Sequence, residues 1–172
     1  MSNAIDLTRL FKPLLLAFVV LVLYGCSATG PLFDQKEQPA AADGRAVLYV
    51  YRTTTKAMGA RTASIDIDGK KLGELVMGSY LVVTLDPGTY TLTQRWNAWI
   101  GEFGALDKPI SVALHLGNGS TSYIRMDTAT EFPSFDRVRW SWNLRSVPAH
   151  AALTELQAIR KAELETAFRA NP

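Results

Sequence analysis

The apolar and polar residues between positions 45 and 147 alternate with a period of two, which places successive side chains on opposite faces of a β-strand. Turn signals at residues 68–69, 86–88 and 117–120 separate the alternating runs. In residues 45–52 both alternating sets are apolar, which predicts a central strand covered on both faces. Seven or eight strands at this spacing predict a mainly β domain over residues 45–147, an antiparallel sandwich or barrel, of which we favour the sandwich.

After residue 147 the period changes to that of a helix. Apolar residues recur at spacings of three to five, and they are Leu153, Leu156, Ile159, Leu164 and Phe168. Pro148 suits the first turn of a helix, where a backbone N–H has no partner within the helix. Residues 148–170 are therefore predicted to form an amphipathic helix that packs on the sandwich. Docking of this helix to a membrane surface or a partner is the alternative.

The first 25 residues have the pattern of an export signal. Arg9 and Lys12 supply a basic start, and an apolar stretch over residues 13–23 follows. A membrane-spanning helix needs roughly 20 apolar residues, so this stretch is too short to span a bilayer. We therefore predict that residues 1–25 are a signal peptide.

The signal ends at Leu23-Tyr24-Gly25-Cys26, which resembles the lipobox of bacterial lipoproteins. The resemblance implies cleavage between Gly25 and Cys26 and a covalent lipid, diacylglycerol with further acyl chains such as palmitate, on the Cys26 thiol. No other cofactor is predicted. Several acyl chains anchor a protein stably, because each buried methylene contributes about 0.8 kcal/mol. By the same resemblance, Ser27 in place of Asp implies the outer membrane and its periplasmic face; inner-membrane retention and surface exposure stay open.

Residues 26–44 are rich in Ala, Pro, Gln, Gly and charged residues. This composition predicts a flexible tether between the lipid and the domain.

Charge and cysteine content exclude several classes of function. The 18 Lys and Arg residues against 16 Asp and Glu residues leave a net charge of +2, and no basic block stands out. We therefore predict no nucleic-acid partner. The single cysteine excludes an intramolecular disulfide and a multi-cysteine zinc site.

Candidate catalytic groups are few. The only imidazoles are His115, which falls on the polar face of a strand, and His150, which lies near the start of the predicted helix. Residues 66–69 suit a β-turn rather than a calcium loop, because Lys70 and Lys71 stand where oxygen ligands are needed. We predict no catalytic residue and no metal site.

The two longest connections, residues 97–109 and 128–136, carry aromatic side chains suited to binding. The candidate binding residues are Trp99, Phe103, Phe132 and Phe135. Glu102 and Glu131 lie in the same connections, which leaves open a pair of carboxylates for glycan hydrolysis.

The strand at residues 48–52 and the segments 67–75, 78–80 and 85–92 together resemble DUF2846, a family of bacterial lipoproteins. Residues 68–92 are also similar to the PEGA type of surface β-domain. The resemblance implies a small sandwich of immunoglobulin or prealbumin type without established catalytic residues.

These features predict a non-enzymatic lipoprotein that acts as a binding or envelope-assembly module. Its expected partner, besides the membrane that holds the lipid, is another envelope protein. Peptidoglycan bound by the loop aromatics is the alternative, and a glycan hydrolase is a more distant one.

Overall fold

The computed structural model describes residues 28–41, 43–55, 61–97 and 108–169. The strands in these ranges are β1 (Ala46–Arg52), β2 (Ala63–Ile67), β3 (Lys70–Leu75), β4 (Ser79–Leu85), β5 (Gly88–Trp96), β6 (Ile110–Leu116), β7 (Thr121–Ser134), β8 (Arg137–Ser146) and β9 (Arg160–Lys161). A 3₁₀ turn and two α-helices accompany them: Gln35–Glu37, α1 (Ala149–Leu156) and α2 (Thr166–Arg169).

The strands form two sheets. The large sheet has the order β8-β7-β1-β4-β9 and the small sheet the order β3-β2-β5-β6. Most neighbours are antiparallel, but β1 runs parallel to β7 and β4 runs parallel to β9. The predicted β-sandwich is confirmed. The barrel alternative is wrong, because the two sheets stay separate and each keeps its own edges.

Burial in β1 explains why both of its alternating sets are apolar. All seven of its residues are buried. Leu48 and Val50 lie in the apolar cluster between the sheets, whereas Tyr49 and Tyr51 lie in a second cluster on the outer face of the large sheet. The second cluster is covered by α1 and by Phe33. Burying one such side chain contributes about 1.5–3 kcal/mol, so β1 is stabilised from both faces.

The hairpin between β2 and β3 turns at Asp68 and Gly69, as the sequence predicts. Their φ angles are 48° and 77°, the pair of positive values that a two-residue type I′ turn requires. The Asp68 carboxylate accepts a hydrogen bond from the backbone N–H of Thr91 (2.7 Å). This side chain therefore ties the turn to β5.

The C-terminal segment differs from the continuous helix predicted over residues 148–170. Helix α1 ends at Leu156, and the chain then extends into β9 beside β4. The backbone N–H of Ala162 donates to the carbonyl of Tyr80 (2.7 Å), and that of Glu165 donates to Leu72 (2.9 Å). Pairing with the exposed sheet edges thus replaces helical hydrogen bonds, although the apolar side chains keep their spacing.

The N-terminal segment also differs from the flexible tether predicted over residues 26–44. Phe33 is buried, and its backbone N–H donates to the carbonyl of Ile159 (3.2 Å). The backbone N–H of Lys161 donates to the carbonyl of Pro31 (2.9 Å). Residues 31–33 therefore lie along β9 and hold this part of the segment against the domain.

Candidate functional site

The sandwich has a closed side and an open side. On the closed side, where β3 lies against β4, residues 31–33 cover the edge of β9, and residues 163–165 cover the edge of β3. On the open side, β6 lies against β8, and each pairs with one strand only in the described part of the chain. Among the described strands, β6 and β8 are therefore the ones whose outer edges have neither a neighbouring strand nor an isolated β-bridge.

The β7–β8 hairpin carries the largest exposed apolar side chains among the described residues. All residues from 131 to 139 are exposed. Phe132 is 73% exposed, Phe135 is 112% exposed, and Val138 is 47% exposed. We call these three residues the aromatic tip. An exposed apolar group is suited to contact with another molecule, because its exposure to water is unfavourable and burial in an interface removes that cost.

Of the four aromatic residues proposed for binding, Phe132 and Phe135 lie exposed on one hairpin, Phe132 near the end of β7 and Phe135 in the turn to β8. Trp99 and Phe103 lie outside the described residues, as do Gly25 and Cys26. Glu131 is exposed on β7 opposite Arg139, and Glu102 lies outside the described residues. The convergence of Glu102 and Glu131 therefore stays a prediction.

A buried polar cluster lies between the sheets near the ends of β1 and β5. The guanidinium groups of Arg52 and Arg61 each lie 5.2 Å from the Trp96 ring centre. Arg52 is 1% exposed, and it donates a hydrogen bond to the carbonyl of Arg61 (2.6 Å). Burial lowers the pKa of Arg52 to about 10. The guanidinium remains charged at neutral pH, held by an aromatic face and a carbonyl.

Gln94 belongs to the same cluster and was missed by the sequence reasoning. It is 1% exposed, and neither of its amide atoms has a hydrogen-bond partner in the described ranges. The indole N–H groups of Trp96 and Trp142, whose rings lie 5.8 Å apart, share this condition. The sequence signal for Gln94 is its place as a polar residue on the apolar face of β5, between Leu92 and Trp96. Polar groups buried in this way cost about 1–3 kcal/mol each.

A charged network attaches α1 to the outer face of the large sheet. The Tyr51 hydroxyl donates to Glu155 of α1 (2.6 Å), and Arg125 donates to the same carboxylate. Arg125 also donates to Asp127 (2.5 Å), which accepts a further bond from Arg145 (2.9 Å). Burial raises the pKa of the Tyr51 hydroxyl, and Glu155 raises it further. Because two carboxylates balance two guanidinium groups, the network suits a structural role.

Clefts of two sizes lie on the remaining described surface. One of about 230 Å³ lies beside Arg45, Tyr90 and Phe168, below the roughly 300–1,000 Å³ of typical ligand pockets. A wider, more open one of about 810 Å³ lies beside Leu32 and Phe33. No group of three or more His, Cys, Asp and Glu side chains could hold a metal ion within the described ranges. Asp66, which the calcium alternative would require, is buried and paired with Arg95. Across those same residues, no helix has the length and apolar character needed to cross a membrane.

Comparison with known families gives one match. The family DUF2846, described as a protein of unknown function, matches residues 42–136. The chain belongs to the DUF2846 family. No curated protein and no solved structure matches at a significant level.

The DUF2846 match covers β1 to β7 and ends at the aromatic tip, beside Phe135. The segments that close the sandwich, residues 31–33 and 159–165, lie outside it. In this DUF2846 chain, strand β8 and helix α1 also come from beyond the matched region. The matched region therefore contains the small sheet and three strands of the large sheet, and the flanking segments complete the domain.

Proposed function

We propose that this DUF2846 protein is a lipid-anchored, non-catalytic binding module of the bacterial envelope. Cys26 carries the lipid, and the domain faces the periplasm from the outer membrane. The aromatic tip of the β7–β8 hairpin binds another envelope protein. The observation that carries the binding role is the exposure of Phe132 and Phe135 on one projecting hairpin.

The chemistry of the tip favours a protein partner. Phenylalanine has no polar group with which to orient a sugar, but it fills an apolar recess with a large rigid ring. Aromatic anchors of this kind dominate the energy of protein interfaces. Arg137 and Arg139 are exposed beside the tip and provide a polar rim. The partner is expected to offer an apolar pocket surrounded by polar groups.

The position of the N-terminal segment supports a proposal for which side of the domain faces the membrane. Arg160 donates a hydrogen bond to the carbonyl of Gly30 (3.1 Å), only four positions after Cys26. A fully extended chain advances at most about 3.6 Å per residue, so Gly30 lies within about 14 Å of the anchored residue. The lipid therefore holds the closed side of the sandwich close to the bilayer.

In this proposal the hairpin lies away from the anchor. Strand β9 and strand β8 are the opposite edges of the large sheet. Four strand spacings separate them, which amounts to about 19 Å at 4.7–4.9 Å per spacing. The tip is thus displayed beyond the membrane-proximal edge.

Site-specific photocrosslinking in intact envelopes tests the binding role. A photoreactive amino acid at position 135 is expected to give a discrete protein adduct, and Phe132→Ser in the same chain is expected to abolish it. The matched control carries the probe at Thr91, an exposed position on β5 outside the tip. Equal adducts from positions 135 and 91, or none from 135, would contradict the proposal. Retention on purified peptidoglycan that depends on Phe132 would instead support the glycan alternative.

The anchor is tested separately in the same cells. Labelled palmitate is expected to be incorporated into the wild-type chain and not into Cys26→Ala. Incorporation into both chains, or into neither, would show that Cys26 is not the lipid attachment site.

A further inference from the structure

Among the strands that the structure describes, β6 presents an edge that differs from the edges of β3, β8 and β9. Residues 31–33 cover β9, and residues 163–165 cover β3. Strand β8 carries Arg137, Arg139 and Arg145. Strand β6 has no Asp, Glu, Lys, Arg or Pro, the residues with which edge strands commonly prevent pairing.

The side chains of β6 follow a strict alternation. Ser111, Ala113 and His115 are exposed on the outer face, whereas Ile110, Val112 and Leu114 are half-buried on the inner face. Ser111 and Thr93 share a hydrogen bond between their hydroxyl groups (2.8 Å), so these polar groups of the outer face already have partners within the small sheet. The half-buried apolar side chains gain burial if another strand is added beside them.

Symmetry restricts how two copies of β6 can pair. Opposite residues in an antiparallel pair point to the same side of the sheet. One residue must therefore lie opposite its own copy, with the two-fold axis midway between them. We name the axis after that residue. An axis through Ala113 pairs all seven residues of the strand. It places Val112 opposite Leu114 of the second copy, and Ser111 opposite His115. Apolar residues then meet apolar residues, and no like charges face each other.

The same operation on β8 is unfavourable. An axis through Ser141 places Arg137 opposite Arg145, and an axis through Trp142 places Arg139 opposite Arg145. Like charges directly opposite each other on neighbouring strands are destabilising. The two longest registers of β8 therefore bring like charges together, whereas the full-length register of β6 does not.

We propose that two copies of this chain associate through β6, in antiparallel register about Ala113, and so join their small sheets into one continuous eight-stranded sheet. A seven-residue pairing lies at the small end of specific interfaces, so the dimer is weak in solution and is strengthened where both copies are confined to one membrane. The pairing itself uses neither the aromatic tip nor Cys26, and only its strengthening on a membrane rests on the proposed lipid anchor.

Cysteine crosslinking in envelopes tests the register. Ala113→Cys is expected to give a disulfide-linked dimer under mild oxidation, because the two residues face each other across the axis. Thr91→Cys is the matched control, since Thr91 is exposed beside Ala113 on β5. In the dimer the two Thr91 residues lie three strand spacings apart, about 14 Å, which is too far for a disulfide. The parent chain, whose single cysteine is Cys26, controls for that thiol.

Two further variants distinguish this register from other contacts. Ser111→Cys alone is expected to give no dimer, whereas Ser111→Cys combined with His115→Cys restores it, because these positions pair only between copies. Ala113→Lys places two ammonium groups opposite each other and is expected to abolish the dimer of the full chain in analytical ultracentrifugation. Thr91→Lys is expected to leave that dimer intact.

Several results would overturn the inference. One is a monomeric wild-type chain together with no Ala113→Cys dimer. Others are equal crosslinking from positions 113 and 91, or an adduct of Ala113→Cys with a different protein in place of the dimer. The crosslinking arm remains decisive if Ala113→Lys fails to fold.

Discussion

The two sides of the sandwich differ in whether their sheet edges are covered. On the closed side, segments from both ends of the described chain supply backbone partners to β9 and β3. On the open side, β6 and β8 keep one outer edge each, within the described residues, and the hairpin beside them exposes Phe132 and Phe135. On the closed side Phe33 is buried, although its neighbour Leu32 is 53% exposed, whereas Phe132 and Phe135 of the aromatic tip are both in solvent.

This difference separates residues that stabilise the fold from residues available for binding. Phe33 contacts the rings of Tyr49 and Tyr80, with centres 6.2 and 5.6 Å away. Lys71 on β3 pairs with Glu165 of the covering segment (3.2 Å). Phe135, by contrast, is fully exposed. Equivalent substitutions on the two sides should therefore have unequal effects on stability.

The largest expected difference in stability is between alanine substitutions at two phenylalanines. Phe33→Ala removes a buried ring from the tyrosine cluster and is expected to lower the free energy of unfolding by about 3 kcal/mol. Phe135→Ala is expected to change it by less than about 0.5 kcal/mol, because the ring is exposed in the folded state. Urea unfolding followed by tryptophan fluorescence measures both. Similar losses in the two variants would show that the closed side is not the more stabilising one.

A smaller difference in stability is expected between alanine substitutions at two glycines. A methyl group on Gly73 of β3 would lie 2.7 Å from both the Glu163 carbonyl oxygen and a Leu81 methyl carbon. Gly73→Ala is expected to cost about 1–3 kcal/mol, because the covering segment or the core must shift.

Gly88, at the start of β5, is the matched position towards the open side. The nearest atom to a methyl group there is a Tyr90 ring carbon at 3.6 Å, an ordinary contact. Gly88→Ala is therefore expected to be neutral or slightly stabilising, since alanine restricts the unfolded chain. Thermal unfolding of both variants checks the pair, and a larger loss for Gly88→Ala would contradict it.

The smallest effect concerns alkaline pH. Burial raises the pKa of Tyr49 and of Tyr80 above the ordinary value of 10.0. In the unfolded chain these hydroxyls ionise near that value, while the folded chain keeps them neutral, so stability is full below pH 10 and falls as the pH rises above it. Phe33→Ala should bring both pKa values closer to 10.0 and weaken this dependence.

Spectrophotometric titration of tyrosine ionisation, together with urea midpoints on either side of pH 10, measures the alkaline effect. Phe135→Ala is the control and should titrate as the wild type does. An unchanged titration curve in Phe33→Ala would show that this ring does not shield the tyrosine cluster.

Local patterns in the sequence predict much of the fold. The double apolar alternation of residues 45–52 predicts a strand covered on both faces, because burial on two sides leaves no polar face. Asp68-Gly69 predicts a two-residue turn, because few other dipeptides adopt two positive φ angles. The connection predicted over residues 128–136 is wrong for most of its length, because residues 128–134 belong to β7, which pairs with β8, and this leaves Phe132 on the strand and Phe135 in the turn. Their role in binding stays a prediction.

Other features left little or no local signal. Strand β9 has only two residues, and its pairing depends on the free edge of β4, which is distant in the sequence. Residues 153–168 satisfy a helical period, yet part of the segment is extended, because its backbone pairs with the edges of β4 and β3, which are distant in the sequence. Gln94 breaks the apolar face of β5, but alternation alone does not reveal what surrounds it.

The sequence by itself determined the β class, the turns and the apolar content of the strands, because these depend on neighbouring residues and on the chemistry of single side chains. Only the tertiary structure decided which edges are covered and which are open. That choice depends on backbone hydrogen bonds between distant segments, and backbone groups are the same in every residue except proline. Alternation can therefore identify a strand, but it cannot identify the strand's neighbour.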